Sequence, residues 1–491
     1  MKKCLCGFLR TAVIGCLTLS AGYLMGEEPV FRKTIDIGSR LELFVDRFLV
    51  EKMSNVDFRL HHPQKLPLPK SPLVGYYSTV IKDGDLYRGY YRSIDPGYKG
   101  RKNYSGHPGE ITCYAESRDG HEWTFPQLGL YKINGATKNN VILAGQPPFS
   151  HNFSPFLDTR PSVSTDERFK ALAGHPGYNR KVKADGLHAF ASSDGIHWRR
   201  TSKTPVIPFN ASWHHAFDSQ NVSFWSEAEQ QYVAYIRTWK SRHGRLRTIS
   251  RTTSSDFVQW SKPVPMEPNL PGEHLYTSNT HPYFRAPHLY IALPTRFHPG
   301  RGDSTDILFM VSRAGSTSYE RLFAEALIRP GLDPARWGNR SNYAALNVVP
   351  TGDAEMSIYH AKSGHRYILR TDGFISVRAG IEKGELLTKP LTFTGGKLVL
   401  NLSTSAAGSV RVEIQNPDGS PIPGFRLQDC SAIIGDKIEQ TVKWKGNPDL
   451  RAWARKPVRV RFVMTECDIY SFRFKPDEAA LPNKPDAGDG K

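Results

Sequence analysis

Cysteine is scarce in this chain of 491 residues: there are six, and three of them (Cys4, Cys6 and Cys16) fall in the first sixteen positions. Only Cys113, Cys430 and Cys467 follow, so a disulfide-stapled scaffold is excluded, and a chain of this length can bury its cores without one. The positions permit a Cys430–Cys467 pair without fixing it. A Gly-rich phosphate loop, a G-x-S-x-G nucleophile elbow and an HExxH pair are all missing, which disfavours nucleotide chemistry, elbow esterases and the commonest zinc protease design. Beyond the N-terminus no apolar run is long enough to span a bilayer, so no stable membrane insertion is expected.

The one long apolar stretch is MKKCLCGFLRTAVIGCLTLSAGYLMG, whose basic start, apolar middle and small-residue end read as an export signal over 1–26. A secreted or periplasmic protein is expected. Tyr23 follows Leu-Ser-Ala-Gly where a lipid anchor would need cysteine. Basic residues outnumber acidic ones 65 to 47, a formal charge of +18. Such a surface concentrates anionic polymers; with export and no nucleic-acid-binding motif, acidic or sulfated polysaccharide is a better partner than nucleic acid. The sequence leaves oligomeric state open.

What the chain has in abundance is repetition. SRDGHEW at 117–123, SSDGIHW at 192–198 and SSDFVQW at 254–260 are copies of one phrase, and SRAGSTSY at 312–319 is a decayed fourth. Asp119, Asp194 and Asp256 are 75 and 62 residues apart, with Ala314 another 58 on, the size of a propeller blade. Each phrase ends a strand in a tight turn and sends Trp or Tyr into the next extended piece. Trp123, Trp198 and Trp260 are therefore expected to pack between sheets. LYRGYYR at 86–92, RFKALAG at 168–174, QYVAYIR at 231–237 and HLYIALPTR at 288–296 supply a strand upstream of each phrase, and MSIYHAKSGHRYILRT at 356–371 makes a fifth unit turning at Ser363-Gly364.

After Asp372-Gly373 the texture becomes long alternating strands with NPDG as a hairpin turn. The chain reads as all-β: a five-bladed β-propeller over 27–372, then a β-sandwich over 373–476. The Pro-, Gly- and charge-rich tail, 477–491, is expected to be disordered. The acids Glu413, Asp429 and Asp468 of the C-terminal part have no catalytic spacing.

In a propeller the first strand of each blade lines the central channel, so polar residues just before these strands are candidates for chemistry. Asp158 and Arg160 open one unit; Asp218, Gln220 and Asn221 open the next, 60 residues on from Asp158. Glycosyl transfer to water needs two carboxyl groups, one as acid and one as base or nucleophile. Glu110, Asp46 and Glu355 compete for the remaining role. Trp213, His214 and His215 precede Asp218, while Tyr276, Asn279, His281 and Arg285 precede the fourth unit, a mixture suited to ring stacking and polar contact with a sugar. A metal held by His214, His215 and His281 is disfavoured, because adjacent histidines in a strand point to opposite faces; no metal or cofactor is expected.

On these units and acids the chain resembles the five-bladed propeller glycoside hydrolases, the invertase-like and arabinanase-like superfamily, with a trailing β-sandwich as in the invertase-like branch. Asp158-Thr159-Arg160-Pro161 is similar to a rearranged form of the family's second-blade Arg-Asp-Pro, and Asp218-Ser219 falls near its third-blade Glu-Cys. The first-blade Asn-Asp-Pro-Asn-Gly is absent; YYSTVIKDGDLY stands there, with Ser78-Thr79 in place of the acid. The resemblance implies an exported glycoside hydrolase with Asp218 as proton donor, Glu110 as base or nucleophile and Asp158 as modulator, either Glu110 or Asp46 replacing the missing acid. The alternatives are a noncatalytic carbohydrate-binding propeller, with acids tied up by arginine, and a structural propeller with a plugged channel.

Overall fold

The computed structural model describes residues 34–175, 186–213 and 215–476. The export-signal segment, the C-terminal tail and His214 lie outside the described residues. Within them the chain is all-β, of the propeller and sandwich type; its helical pieces are five three-residue 3-10 turns, and no helix is long and apolar enough to cross a membrane.

Five antiparallel units follow one another. The first joins Tyr76–Asp83, Leu86–Ile94, Glu110–Ser117 and Val141–Leu143. The second joins Ser154–Leu157, Phe169–Ala173, Gly186–Ser192 and Arg199–Arg200, with Ile207–Pro208 paired back onto Gly186–Ser192. The third contains Val222–Ser226, Gln231–Thr238, Thr248–Ser254 and Val264–Pro265. The fourth is built on His281–Tyr283, Ala286–Ala292 and Met310–Arg313, next to a smaller sheet of His274–Leu275, Thr295–His298 and Ser304–Ile307. The fifth joins Val349–Gly352, Glu355–Tyr359 and Arg366–Arg370, and its outer strand is Gln64–Lys65, from the beginning of the described chain.

The leading strands of the first four units stand side by side in chain order, and that of the fifth adjoins the first. From fourth to fifth the step is bridged by the Val348 N–H donating to His281 Nε2 at 3.0 Å, and from fifth to first by the Leu346 N–H donating to the Ser78 carbonyl at 2.8 Å. Gln220 Nε2 reaches across from the third unit to Thr79 Oγ1 of the first, at 2.9 Å.

The repeated phrase is a hydrogen-bonding device. Ser117, Ser192 and Ser254 donate to Asp119, Asp194 and Asp256 at 2.9, 3.0 and 2.9 Å, and each carboxylate then accepts two backbone N–H groups of the turn. These acids close turns by satisfying backbone donors that a tight turn leaves unpaired. In the fourth copy Ala314 removes the acceptor, and Ser316 and Ser318 hydrogen-bond within the turn instead. Two of the aromatics that follow pack between units, Trp123 buried against Tyr359 of the fifth and Trp198 6.3 Å from Tyr90 of the first, while Trp260 lies 5.5 Å from Phe257 of its own turn. Gly89, in the middle of LYRGYYR, makes room for Trp123; a Cβ there would stand 2.8 Å from the indole.

The C-terminal part is an eight-stranded antiparallel sheet dominated by two long strands, Lys397–Gln415 and Arg459–Lys475. Their register shifts between Thr404 and Ser409, and both arms feed one core, with Leu398, Leu400 and Leu402 on one side of the shift and Val410, Val412 and Ile414 on the other. That i, i+2 spacing is the alternation read in the sequence. The N-terminal strands Glu42–Leu43, Val50–Ser54 and Val56–Leu60 pair into this sheet, and Ile35–Gly38 pairs with Leu391–Phe393, so residues 35–60, placed by sequence in the span 27–372, hydrogen-bond with strands beyond residue 373. Cys113, Cys430 and Cys467 are free and buried, so the Cys430–Cys467 bridge is not formed.

Candidate active site

Polar side chains converge where the leading strands begin. Glu110 opens the third strand of the first unit, His151 lies in the 3-10 turn Phe149–His151 just before the second unit, and Asp218 lies in the loop before the third. His151 joins them: Nδ1 is 2.9 and 3.0 Å from the two oxygens of Glu110, and Nε2 is 3.0 Å from Asp218 Oδ1. His175, which follows Phe169–Ala173, brings Nε2 to 3.6 Å from the same Asp218 oxygen. Arg237, near the end of Gln231–Thr238, takes the other oxygen at 3.2 Å. Arg92 donates to the His151 carbonyl at 2.9 Å, stands 2.7 Å from Nδ1 and 3.8 Å from Glu110.

The Asp218 loop is held under strain. Phe217 sits in the left-handed region at φ 67°, costly for a bulky residue. Its carbonyl accepts from Asn152 Nδ2 at 2.8 Å and Asn221 Nδ2 at 2.9 Å, two fully buried amides that fix the turn. Asn221 Oδ1 also accepts from the Arg237 N–H, linking the residue that carries the acid to the strand that neutralises it.

Both carboxylates are held in the anionic form. Burial pushes Asp218 up, but Arg237, His151 and His175 outweigh it and leave the group well below the usual carboxylate range. Glu110 follows the same pattern: burial raises it, while His151 and Arg92 bring it below its ordinary value. His175 is pushed down by burial first, partly opposed by Asp218. Tyr77, whose ring lies 5.8 Å from His151, is pushed up to about 12 by burial and then by the Asp218 charge, so its phenol keeps its proton.

A groove of about 600 Å³ runs beside the cluster, lined among others by Tyr76, Arg92, Lys102, Tyr104, Glu110 and Arg340. At its deep end Tyr77, His151, Asp218, Tyr276, Arg340 and Tyr343 meet. Asp218 keeps 24% of its side chain exposed, against 8% for Glu110 and 5% for His151, so it is the acid that faces solvent.

Of the residues singled out from sequence, Glu110, Asp218 and Tyr276 meet at this mouth, and His215 is next to it, its carbonyl accepting from Arg237 at 3.2 Å and its ring 5.5 Å from Trp239. Trp213 packs on Phe217. Asp158 does not join them. It follows the far end of Ser154–Leu157, buried, paired with Lys170 at 2.8 Å and accepting from Tyr232 at 2.6 Å, so its charge is consumed by a core ion pair. Arg160 stays with it, its guanidinium over the Tyr232 ring. Gln220, Asn221, Asn279 and His281 are buried ties between strands rather than groove residues; His281, for instance, lies between the Asn279 carbonyl and the Val348 N–H. Arg285 binds Asp372 at 2.6 Å, Glu355 pairs with Arg366 at 3.0 Å, and Asp46 grips Arg313 at 2.6 Å, all remote from the mouth.

Sequence reading missed His151, His175, Arg92, Arg237 and Asn152. The repeat carried a signal for them. His151 precedes the second leading strand as Asp218 precedes the third, and Arg92, His175 and Arg237 end or follow equivalent strands of LYRGYYR, RFKALAG and QYVAYIR.

No protein-family model matches the chain, and no curated protein does. Among solved structures, one titled "Glycoside hydrolase" is similar at 13% identity and TM-score 0.41, over 63% of this chain and 90% of that one. A thermostable family-43 glycoside hydrolase is similar at 12% identity and TM-score 0.41, over 64% and 92%. An N-acetylgalactosamine deacetylase from F. plautii, in complex with blood group B trisaccharide, is similar at 12% identity and TM-score 0.38, over 84% and 95%.

Proposed function

We propose that the chain is a carbohydrate-active hydrolase on a five-bladed β-propeller with an attached β-sandwich, working at the mouth where the leading strands begin. The propeller reading draws support from the cyclic order of those strands and from Gln64–Lys65 completing the last sheet. The observation that carries the functional reading is the pair of buried carboxylates, Glu110 and Asp218, on opposite nitrogens of His151 beside an aromatic and cationic groove.

The roles differ from those implied by family resemblance. A proton donor at neutral pH needs a raised pKa, and Asp218 is lowered. It serves as the anion that accepts a proton from water or stabilises positive charge at the sugar carbon. One imidazole separates the carboxylates, a span of roughly 8 Å at most, inside the inverting range of about 6.5–9.5 Å, but the ring occupies the gap a water would need. Glu110 and Asp218 are therefore coupled through His151, and Tyr77, whose phenol keeps its proton, stands beside that ring. Arg92, Lys102 and Arg340 on the groove wall favour uronic or sulfated sugars, and Tyr76, Tyr104 and Tyr276 offer rings to stack on.

The test is product release from an array of neutral, uronic and sulfated glycans by the wild type, Asp218→Asn, Glu110→Gln and, as a control away from the mouth, Asp158→Asn. Release abolished by the first two substitutions and retained per folded molecule by the third supports the reading. The Arg237–Asp218 ion pair favours a second one, noncatalytic carbohydrate binding, which would give saturable glycan binding without product.

A further inference from the structure

The sequence points to no metal; of the three histidines considered for one, His214 lies outside the described residues and His281 is tied between Asn279 and Val348. A different set converges. His151 Nε2 and His175 Nε2 both approach one atom, Asp218 Oδ1, at 3.0 and 3.6 Å, and one ligand atom from each of these residues falls within 4.8 Å of the others. Ligands about 2.0–2.1 Å from a tetrahedral zinc ion are roughly 3.3 Å apart. The two edges at Asp218, 3.0 and 3.6 Å, bracket that length, and the third lies within 4.8 Å.

Hydrogen bonding around the triangle points the same way. A neutral imidazole has one N–H, yet both nitrogens of His151 lie within 3.0 Å of a carboxylate oxygen. Nδ1 lies among the Glu110 oxygens, Arg92 at 2.7 Å and the Gly106 N–H at 3.3 Å, so its contacts are complete without Asp218. Nε2 and Asp218 Oδ1 are left facing each other, with a positive group, a proton or a cation, between them. Glu110 is then the outer carboxylate that orients a ligating histidine and raises its basicity. Arg237 occupies Asp218 Oδ2, leaving Oδ1 as the single coordinating oxygen.

We propose that His151, His175 and Asp218 bind one divalent first-row cation of the zinc type, with Glu110 positioning His151. Two imidazoles and one carboxylate suit such an ion rather than calcium or magnesium, which take oxygen ligands. Three protein ligands leave a fourth position, and Tyr77, Tyr276 and Tyr343 line the recess beside it. Three-ligand sites with an open position are the catalytic kind, in which bound water is acidified. The proposal stands on the triangle alone and is independent of whether the substrate is a glycan.

The experiment uses the full chain, stripped of metal by a chelator and dialysed, then titrated with zinc in a calorimeter and with cobalt in a spectrophotometer, without substrate. Uptake of one ion per chain, with the visible bands of four-coordinate cobalt, is expected. His175→Ala and Asp218→Asn should abolish it, Glu110→Gln should weaken it about ten- to hundredfold, and Asp158→Asn should leave it unchanged. Circular dichroism identifies variants that fold, and if Asp218→Asn does not, His175→Ala decides. A folded wild type that takes up neither ion, or uptake untouched by His175→Ala, overturns the proposal and assigns the Nε2–Asp218 contact to a proton. Glycan release is scored separately, so either result leaves the hydrolase reading to its own test.

Discussion

The two ends of the leading strands make opposite surfaces from the same backbone. Where the strands begin, Glu110, His151, Asp218 and Arg92 crowd a polar mouth; toward their ends, Phe156, Phe224, Trp225, Tyr283, Phe284 and Pro350 surround an apolar recess of about 350 Å³. Both candidate acids precede or follow such strands, and the end decided their fates. Asp158, at the finish, became one half of a core ion pair, while Asp218, before the start, kept a free edge toward solvent. Position along a strand, more than residue type, separates the acid at the groove from the acid in the core.

The sharpest way to break this comparison is to neutralise each acid. Asp218→Asn is expected to cut turnover per folded molecule about 10²–10⁴-fold, the range for loss of an acid–base group, and to lower the melting transition because the buried Arg237 loses its carboxylate; glycan-release rates beside thermal melts measure both. Asp158→Asn should affect stability alone: it leaves the buried Lys170 with only Glu167 at 3.4 Å, at a cost of up to about 3–5 kcal/mol, read by denaturant titration, while turnover per folded molecule stays near wild type. At the apolar end, Trp225→Ala removes a ring packed 5.0 Å from Tyr232 and should cost about 3–5 kcal/mol without altering KM.

A smaller effect tests the clip between the N-terminal strands and the fourth unit. Burial pushes Glu42 up, but His288, Arg313 and Arg40 together hold it at about 2, against an ordinary 4.5. A depressed carboxylate contributes stability above its unfolded value and loses it as pH falls toward the folded one. About 3 kcal/mol, at 1.36 kcal/mol per unit, should therefore be lost between about pH 4.5 and 2, and Glu42→Gln should flatten that part of a pH–stability profile. Smallest of all, Asp256→Ala leaves two turn N–H groups without their acceptor, an expected loss of about 1–2 kcal/mol in chemical denaturation. The fourth copy, with Ala314, is the same change already accommodated.

The sheets were legible because two local rules wrote them. Alternation marked the strands, as in LYRGYYR and the Leu398, Leu400, Leu402 run, and the Ser-x-Asp turns punctuated them at a fixed interval. Glu110 and Asp218 were legible as acids beside strand starts. His151 and His175 were not, because one lies in a 3-10 turn and the other just past a strand, where side-chain direction follows no period; only their place in the repeat marks them. Asp158 misled for a complementary reason: Lys170, twelve residues on, is an ordinary polar residue of a strand until pairing with Ser154–Leu157 brings it to the acid. The pairing of residues 35–60 with the C-terminal sheet was equally invisible, since a strand's own pattern does not name a partner some 300 residues away.

That long-range pairing bears on the order in which the molecule can be made. Val56–Leu60 waits for Ile375–Ala379, and Gln64–Lys65 waits for Arg366–Arg370. A ribosome delivering about 5–20 residues per second leaves these early strands with unpaired edges for tens of seconds; the fifth unit is completed only with Arg366–Arg370, and the C-terminal sheet only with Arg459–Lys475. The same stitching that ties both ends of the chain into the finished structure makes the nascent chain a late folder, dependent on whatever shields a strand edge in the meantime.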